Sequence, residues 1–334
     1  MTNSLVIAPQ WIGDAVMTEP LLRRLHARGE RITVGALPWV APVFRAMPQV
    51  ADIIELPFAH GGLQWTARRA MARDLRGRFD VAYVCPNSLK SALLPWWAGI
   101  ARRVGYTGES RMGLLNVRLP NPAGEERGPM VAFYSALSGE PQGDGDRPAL
   151  TISTDASRLV LARLGLQARG FYVFSPGAEY GPAKRWPIRH FAALAAMLPG
   201  PVVLLGSPKE ASLCAEIAAI ANGALAGPCV DLSGRTSLDE AIAVIANAKA
   251  MVSNDSGLMH VAAAFSVPQV AVFGSSSPLH TPPLSPAASV VWLKQDPGYQ
   301  PPLDCAPCFA RECPLGHTRC LNDISAGRVA ALLP

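Results

Sequence analysis

Three short polar stretches, each following an apolar run, hold the residues of this chain with types and spacing suited to chemistry. In PQWIGDAVMTEP (residues 9–20), Gly13 permits a sharp turn and Asp14 stands at or near the N-cap of the helix that follows. Asp14 reads either as a plain cap or as a general base, since a carboxylate at a strand end can accept a proton from a bound hydroxyl. In SPGAEYGPAKRWP (residues 175–187), glycines and prolines hold a loop open and Lys184 and Arg185 precede a helix. Cations beside free backbone N–H groups suit a phosphate or diphosphate; the alternative is a solvated surface turn. In MVSNDSGLMHVAAAF (residues 251–265), Ser256 and Gly257 would supply the first N–H groups of a helix, a place for a diphosphate. Asp255 leads that loop, and an acid there should repel the same ligand. His260 points either to the ligand or into the core.

The elements that carry these loops are β-branched apolar runs alternating with segments of helical period. That is the pattern of parallel sheets covered on both faces. Strands are predicted at SLVIAP, ITVGALP, ADIIELP and DVAYVCP, then at FYVFSPG, PVVLLGS, AMVSND and PQVAVFG. LSGEPQGDGDRPAL (residues 137–150) has no periodicity and reads as a linker. The expected fold is α/β: two Rossmann-like domains, residues 1–150 and 151–334, with a cleft between them. In such sheets ligands bind beyond the carboxyl ends of strands, where the three loops lie. No G-x-G-x-x-G follows the first strand and no P-loop motif occurs, which removes the main support for a dinucleotide dehydrogenase or an NTPase.

Hydrophobic residues make up 49% and charged residues 16%, and the mean hydropathy is +0.19, yet no apolar run approaches the roughly 20 residues of a membrane span. The opening MTNSLVIAPQWIGD lacks the regions of a signal peptide, so a cytoplasmic location is expected. Net charge is +5, with arginines crowded into ARRAMARDLRGRF and at Arg102 and Arg103; these suit an anionic partner or a solvated helix face. Without a basic stripe interleaved with aromatics, nucleic acid is not an expected partner. Cys85, Cys214 and Cys229 read as core residues. Cys305, Cys308, Cys313 and Cys320 gather with His317 near the end, at spacings unlike paired C-x-x-C knuckles, which leaves zinc, a disulfide or packed thiols open.

The stretches IAPQWIGDAVMTEPLLRRL, PNSLKSALLPWWAGI, SPGAEYGPAKRWP, LLGSPKE and SNDSGLMHVAAAFSVPQVAVFGSSSP, in this order along almost the whole chain, resemble the ADP-heptose:lipopolysaccharide heptosyltransferases. Of these, the GPAKRWP and NDSGLMH blocks are the specific ones. The resemblance implies the two-domain GT-B fold, a donor, ADP-L-glycero-D-manno-heptose, held by the second domain, and a lipid A–Kdo–heptose core acceptor held by the first. It implies inverting transfer by a monomer without cofactor or metal, at most peripheral at the inner membrane. By that resemblance Asp14 is the general base and Lys184 neutralises the leaving diphosphate. Ser175, Gly177, Lys184, Asp255, Ser256, Gly257 and His260 would line the donor site, with Asp255 turned to the heptose hydroxyls or to Lys184. His60, in a flexible glycine loop, with Lys90, Arg102 and Arg103, would meet the acidic acceptor. Trp96 and Trp97 read as core, with membrane contact the alternative. The other readings are a sister transferase acting on a different core acceptor and a non-catalytic nucleotide-sugar-binding protein.

Overall fold

The computed structural model describes residues 1–58, 62–122, 128–140, 143, 146–223 and 228–334. The chain divides into two compact units, Met1–Thr151 and Ile152–Pro334. Each is a parallel six-stranded sheet covered by helices.

In the first unit the strands are β1 (Asn3–Ile7), β2 (Arg31–Ala36), β3 (Val50–Glu55), β4 (Val81–Val84), β5 (Arg102–Tyr106) and β6 (Val117–Leu119). Their order across the sheet is β3-β2-β1-β4-β5-β6. The winding therefore reverses between β1 and β4, where Ser4 pairs with Val81 and Ile7 with Val84. Loops leaving two strands at such a reversal diverge and open a crevice for ligand. The helices are α1 (Ile12–Met17), α2 (Glu19–Ala27), α3 (Ala41–Arg45), α4 (Trp65–Asp74), α5 (Leu89–Trp97) and α6 (Met130–Ser135).

The second unit repeats the plan with β7 (Tyr172–Ser175), β8 (Val202–Leu204), β9 (Cys229–Asp231), β10 (Ala250–Asn254), β11 (Gln269–Phe273) and β12 (Ala288–Trp292). Their order is β12-β11-β10-β7-β8-β9, so the reversal falls between β7 and β10. The helices are α7 (Thr154–Leu164), α8 (Ile188–Met197), α9 (Ala211–Gly223), α10 (Leu238–Ala246), α11 (Gly257–Ala264), α12 (Arg319–Asn322) and α13 (Ala326–Ala330). Sequence accounts for several of their starts. Ser237 and Glu240 form a reciprocal capping box at α10, and Ser153 and Ser325 accept backbone N–H bonds at the heads of α7 and α13. The strand interiors are Val, Leu, Phe and Ala buried on both faces, and Trp186, Phe174 and Phe191 join the core beneath α8.

The described part of residues 137–150, expected as a linker, is fastened to α2. Arg28 donates to the Ser138 carbonyl at 2.7 Å, Arg24 to the Glu140 carbonyl at 3.0 Å, and Arg24 pairs with Asp146. Glu19, fully buried, accepts from the Ala149 N–H at 3.1 Å and from Gln49 at 2.9 Å. Charged side chains of a helix thus satisfy the backbone of a segment with no apolar periodicity of its own. Among the described residues no helix is long and apolar enough to cross a membrane.

Candidate functional site

The β1–α1 loop of the first unit places Asp14 in the first turn of α1. Trp11, in extended conformation, occupies the N-cap without a side-chain bond, so Asp14 is not the cap expected from sequence, and Gly13 lies within the helix. The carboxylate is positioned from elsewhere: the Tyr134 hydroxyl donates to Asp14 Oδ1 at 2.8 Å. Tyr134 is fixed in turn by α6, where Tyr106 of β5 stacks on Phe133 with ring centroids 3.7 Å apart and donates to the Phe133 carbonyl at 2.5 Å. At the end of neighbouring β4, burial and then the negative charge of Asp14 push the Cys85 thiol far up, so Cys85 is an inert core thiol.

Of the residues expected to meet an acceptor, Lys90 lies in the first turn of α5, beyond the end of β4 at the reversal. Arg102 and Arg103 open β5 and so stand at the amino end of the sheet, opposite the carboxyl ends where ligands bind in such folds. Arg103 is spent on carbonyls, donating to Leu114 at 2.6 Å and Ile100 at 2.5 Å. The fold does not bring these two arginines to Lys90. His60 lies outside the described residues. Trp97 packs edge-on against Trp65 at 4.5 Å, but Trp96 is 44% exposed rather than part of the core. Pro95 and Leu94 take the inward positions of α5 and turn Trp96 outward.

In the second unit, Ser175 ends β7 and its loop runs to Trp186. Asn254, the last residue of β10, ties that loop at both ends. Its Nδ2 donates to the Pro176 carbonyl at 2.7 Å and its Oδ1 accepts from the Trp186 N–H at 2.9 Å. Between these ties Gly181 sits at φ +155° with the Arg311 carbonyl where a Cβ would be, so only glycine lets the chain pass. Gly177 has a similar reason, for the Glu210 carboxylate lies against it while also accepting from the Ser207 N–H at 2.7 Å.

The constrained loop presents Lys184 from a single 3₁₀ turn, Pro182–Lys184. Its ammonium donates to Asp255 Oδ2 at 2.5 Å, and Thr281 donates to the other carboxylate oxygen at 3.2 Å. Asp255 is 7% exposed, so this pair is largely shielded from water. Its carboxylate is oriented by a cation and a hydroxyl, which relieves the repulsion a phosphate would meet. Ser256 is the N-cap of α11 in extended conformation, and Gly257 begins the helix. The Ser256 hydroxyl caps nothing, and among the described residues it has no hydrogen-bond partner, as is true of Ser275 Oγ, Ser276 Oγ and His280 Nδ1 on the loop after β11. His260 lies one turn into α11, buried; burial drives its pKa down to about 4, with Asp255 pulling up and Lys184 pushing down. It is therefore neutral at pH 7. Asn254, Thr281 and Tyr134, which hold the candidate residues and their loop in place, are not singled out by the sequence. Asn254 adjoins Asp255 in the NDSG block, whereas nothing local marks the other two.

Near the C-terminal end, Cys305, Cys308, Cys313 and Cys320 are free thiols. Burial opposes the Cys313 thiolate, but backbone N–H groups of Thr318, Leu315, Gly316 and His317 bond its sulfur and hold its pKa below the ordinary thiol value. Cys320 goes the other way, pushed up to about 11 by burial and by the charges of the other three. Among the described residues no group of three or more His, Cys, Asp or Glu is arranged to hold a metal ion.

Two doubly wound units, one offering an oriented carboxylate and the other a lysine–aspartate pair at a helix start, define an α/β enzyme of the GT-B type. The sequence matches glycosyltransferase family 9 (heptosyltransferase) over residues 68–318. It is 44% identical over 307 residues to lipopolysaccharide heptosyltransferase 2 of Escherichia coli, covering 86% of this chain and 87% of that protein. To lipooligosaccharide heptosyltransferase 2 of Haemophilus influenzae it is 40% identical, covering 87% and 88%. The solved structure of E. coli ADP-heptose lps heptosyltransferase II superposes with a TM-score of 0.83 at 39% identity, over 99% of this chain and 97% of that one. The chain belongs to glycosyltransferase family 9, the heptosyltransferases, and is a glycosyltransferase.

Proposed function

We propose that this enzyme transfers L-glycero-D-manno-heptose from ADP-heptose to a heptose already present on the lipopolysaccharide inner core, with inversion at the anomeric carbon. The observation that carries this reading is the Lys184–Asp255 pair beside the start of α11. That arrangement suits a ligand in which a diphosphate adjoins a polyol. The diphosphate takes the Ser256 and Gly257 N–H groups and the unpartnered Ser256 hydroxyl, on the positive end of the helix dipole. Asp255, held by Lys184 and Thr281, accepts from heptose hydroxyls. Ser175, Gly177 and neutral His260 complete the wall of the donor site.

The second unit takes the donor and the first takes the acceptor. Asp14, oriented by Tyr134, removes the proton from the attacking hydroxyl as that oxygen bonds to C1 of the heptose. The bond from C1 to the diphosphate breaks on the opposite face through an oxocarbenium-like state. Lys184 neutralises the charge that develops on the departing ADP. With this role on a lysine, activity is expected to survive treatment with EDTA. Exposed Trp65 and Trp96, with Arg69 5.9 Å from the Trp97 ring, suit peripheral contact with an anionic membrane surface.

The deciding experiment offers ADP-heptose with two defined acceptors, a Kdo-containing core bearing one heptose and the same core bearing none. Product on the first alone is expected. Product only on the second would make this the transferase of the first heptose, and product on neither would sink the reading.

A further inference from the structure

The β4–α5 turn of the first unit gathers polar groups that the chemistry above leaves unused. Arg68, in α4, is only 6% exposed. Its Nε donates to the Leu63 carbonyl at 2.7 Å and its Nη1 to the Lys90 carbonyl at 3.3 Å, while its guanidinium carbon lies 4.0 Å from the Phe58 ring centroid. Among the described residues no carboxylate pairs with it. Burial lowers its pKa with no acidic neighbour to restore it, although a guanidinium stays protonated. Arg111, buried on the other side of the same turn, is a useful contrast. It donates to the Pro86 and Tyr106 carbonyls and to Asn87 Oδ1, and so staples the turn. Arg68 has fewer protein partners than its five N–H donors can serve.

A cavity of about 30 Å³ adjoins Arg68, with Gln10, Ser88 and Lys90 among its lining residues. That is room for a pair of waters or one small oxyanion group. Among the described residues the Lys90 ammonium has no ion pair or hydrogen bond, and the buried Ser88 hydroxyl has no partner. Ser88 is the N-cap of α5, but its side chain caps nothing; the Leu89 N–H is taken by Glu109 at 2.8 Å. Gln10 belongs to the loop that leads to Asp14. A desolvated cation without a counter-ion is costly to keep buried, a cost that an anionic ligand offsets.

We propose that Arg68, Lys90 and Ser88 form an oxyanion site that holds one acidic group of the acceptor, a carboxylate or a phosphate, beside the loop of the general base. The proposal rests on the reading of the first unit as the acceptor unit. Arg68 and Lys90 bind the acceptor's charge, and Ser88 donates its hydroxyl to the same group.

Steady-state kinetics of Arg68→Gln and Lys90→Gln, with donor and acceptor varied separately, test it. The acceptor KM should rise about tenfold to a hundredfold in Arg68→Gln and less in Lys90→Gln, the loss of charge-assisted hydrogen bonds. The donor KM and the Kd for ADP should stay where they are, which also reports that Arg68→Gln has folded. Partly exposed Lys90 keeps the test alive if Arg68→Gln does not fold. Acceptors stripped of phosphate, or with carboxylates reduced to alcohols, identify the group: the one that binds here, once removed, should abolish the difference between variant and wild type. An unmoved acceptor KM, or an equal rise for charged and neutral acceptors, overturns the site. Failure of the wild type to transfer heptose at all overturns the functional reading, and this proposal with it.

Discussion

The strand ends of the two units solve opposite electrostatic problems. In the second, the cation and the carboxylate satisfy each other: Lys184 and Asp255 are paired, Thr281 takes the remaining carboxylate oxygen, and the loop is tied at both ends by Asn254. In the first, Asp14 is oriented by a neutral phenol, while Arg68 is buried with no carboxylate among the described residues. A prepaired site binds a ligand that carries its own phosphates and hydroxyls without leaving a buried charge exposed beforehand. An unpaired cation is instead a standing demand for an acid. The difference is the one expected if, as proposed, the second unit takes the donor and the first takes the acidic acceptor.

The largest effects should separate the two carboxylates. Asp14→Asn keeps the shape and the Tyr134 contact but removes the base, so turnover should fall about 10²- to 10⁴-fold while the Kd for ADP holds. Preserved turnover would reduce Asp14 to a helix residue. Lys184→Met should lower turnover about 10²- to 10³-fold and also destabilise the protein, because it strands the buried Asp255. The double variant Lys184→Met with Asp255→Asn should recover the melting temperature and none of the activity. Recovery of both would mean that the pair serves folding only.

Much of this arrangement was legible in the sequence, for reasons that also mark where legibility stopped. Central strands such as β1, β4, β7 and β10 are mainly apolar runs, while the missed strands, at or next to a sheet edge, lose that pattern. β5 opens on Arg102 and Arg103, β6 and β9 are three residues each, and β12 is partly exposed. Asp14, Lys184 and Asp255 stood out because each lies in or at the end of a short loop between apolar runs. Tyr134 could not be found, being 120 residues from Asp14 and set by the stacking of Phe133 on Tyr106. Arg68 was hidden among arginines that suit either an anionic partner or a solvated face; only tertiary packing singles it out as buried.

A smaller effect probes how dry the second site is. His260 titrates near 4 in the folded protein against 6.5 when unfolded, with burial the leading cause. The unfolded chain thus takes up the proton first, so stability falls as pH drops from about 6.5 to about 4, and no further below. The loss should approach about 3 kcal/mol at the lower limit. Denaturant titrations across that range should show it, and His260→Gln should flatten the profile. Equal slopes in both proteins would mean that water reaches the ring. Lys184→Met should also move the His260 pKa upward, since the ammonium opposes its protonation and Asp255 favours it.

The smallest change asks which ligand group Asp255 serves. Thr281→Val removes one hydrogen bond, 3.2 Å long, from Asp255 Oδ1 and leaves the bond from Lys184 in place. A single neutral donor to a carboxylate contributes about 1–2 kcal/mol, so a change of roughly fivefold to thirtyfold is expected. If Asp255 faces the heptose, the loss falls on the affinity for ADP-heptose, and ADP, which lacks the sugar, binds as before. If Asp255 acts only as the counter-ion of Lys184, the carboxylate pivots and both ligands weaken together. Calorimetric titration of the same variant with each ligand in turn separates the two. An aspartate at the head of a phosphate-binding helix is then explained by the direction it faces, which Thr281 helps to set.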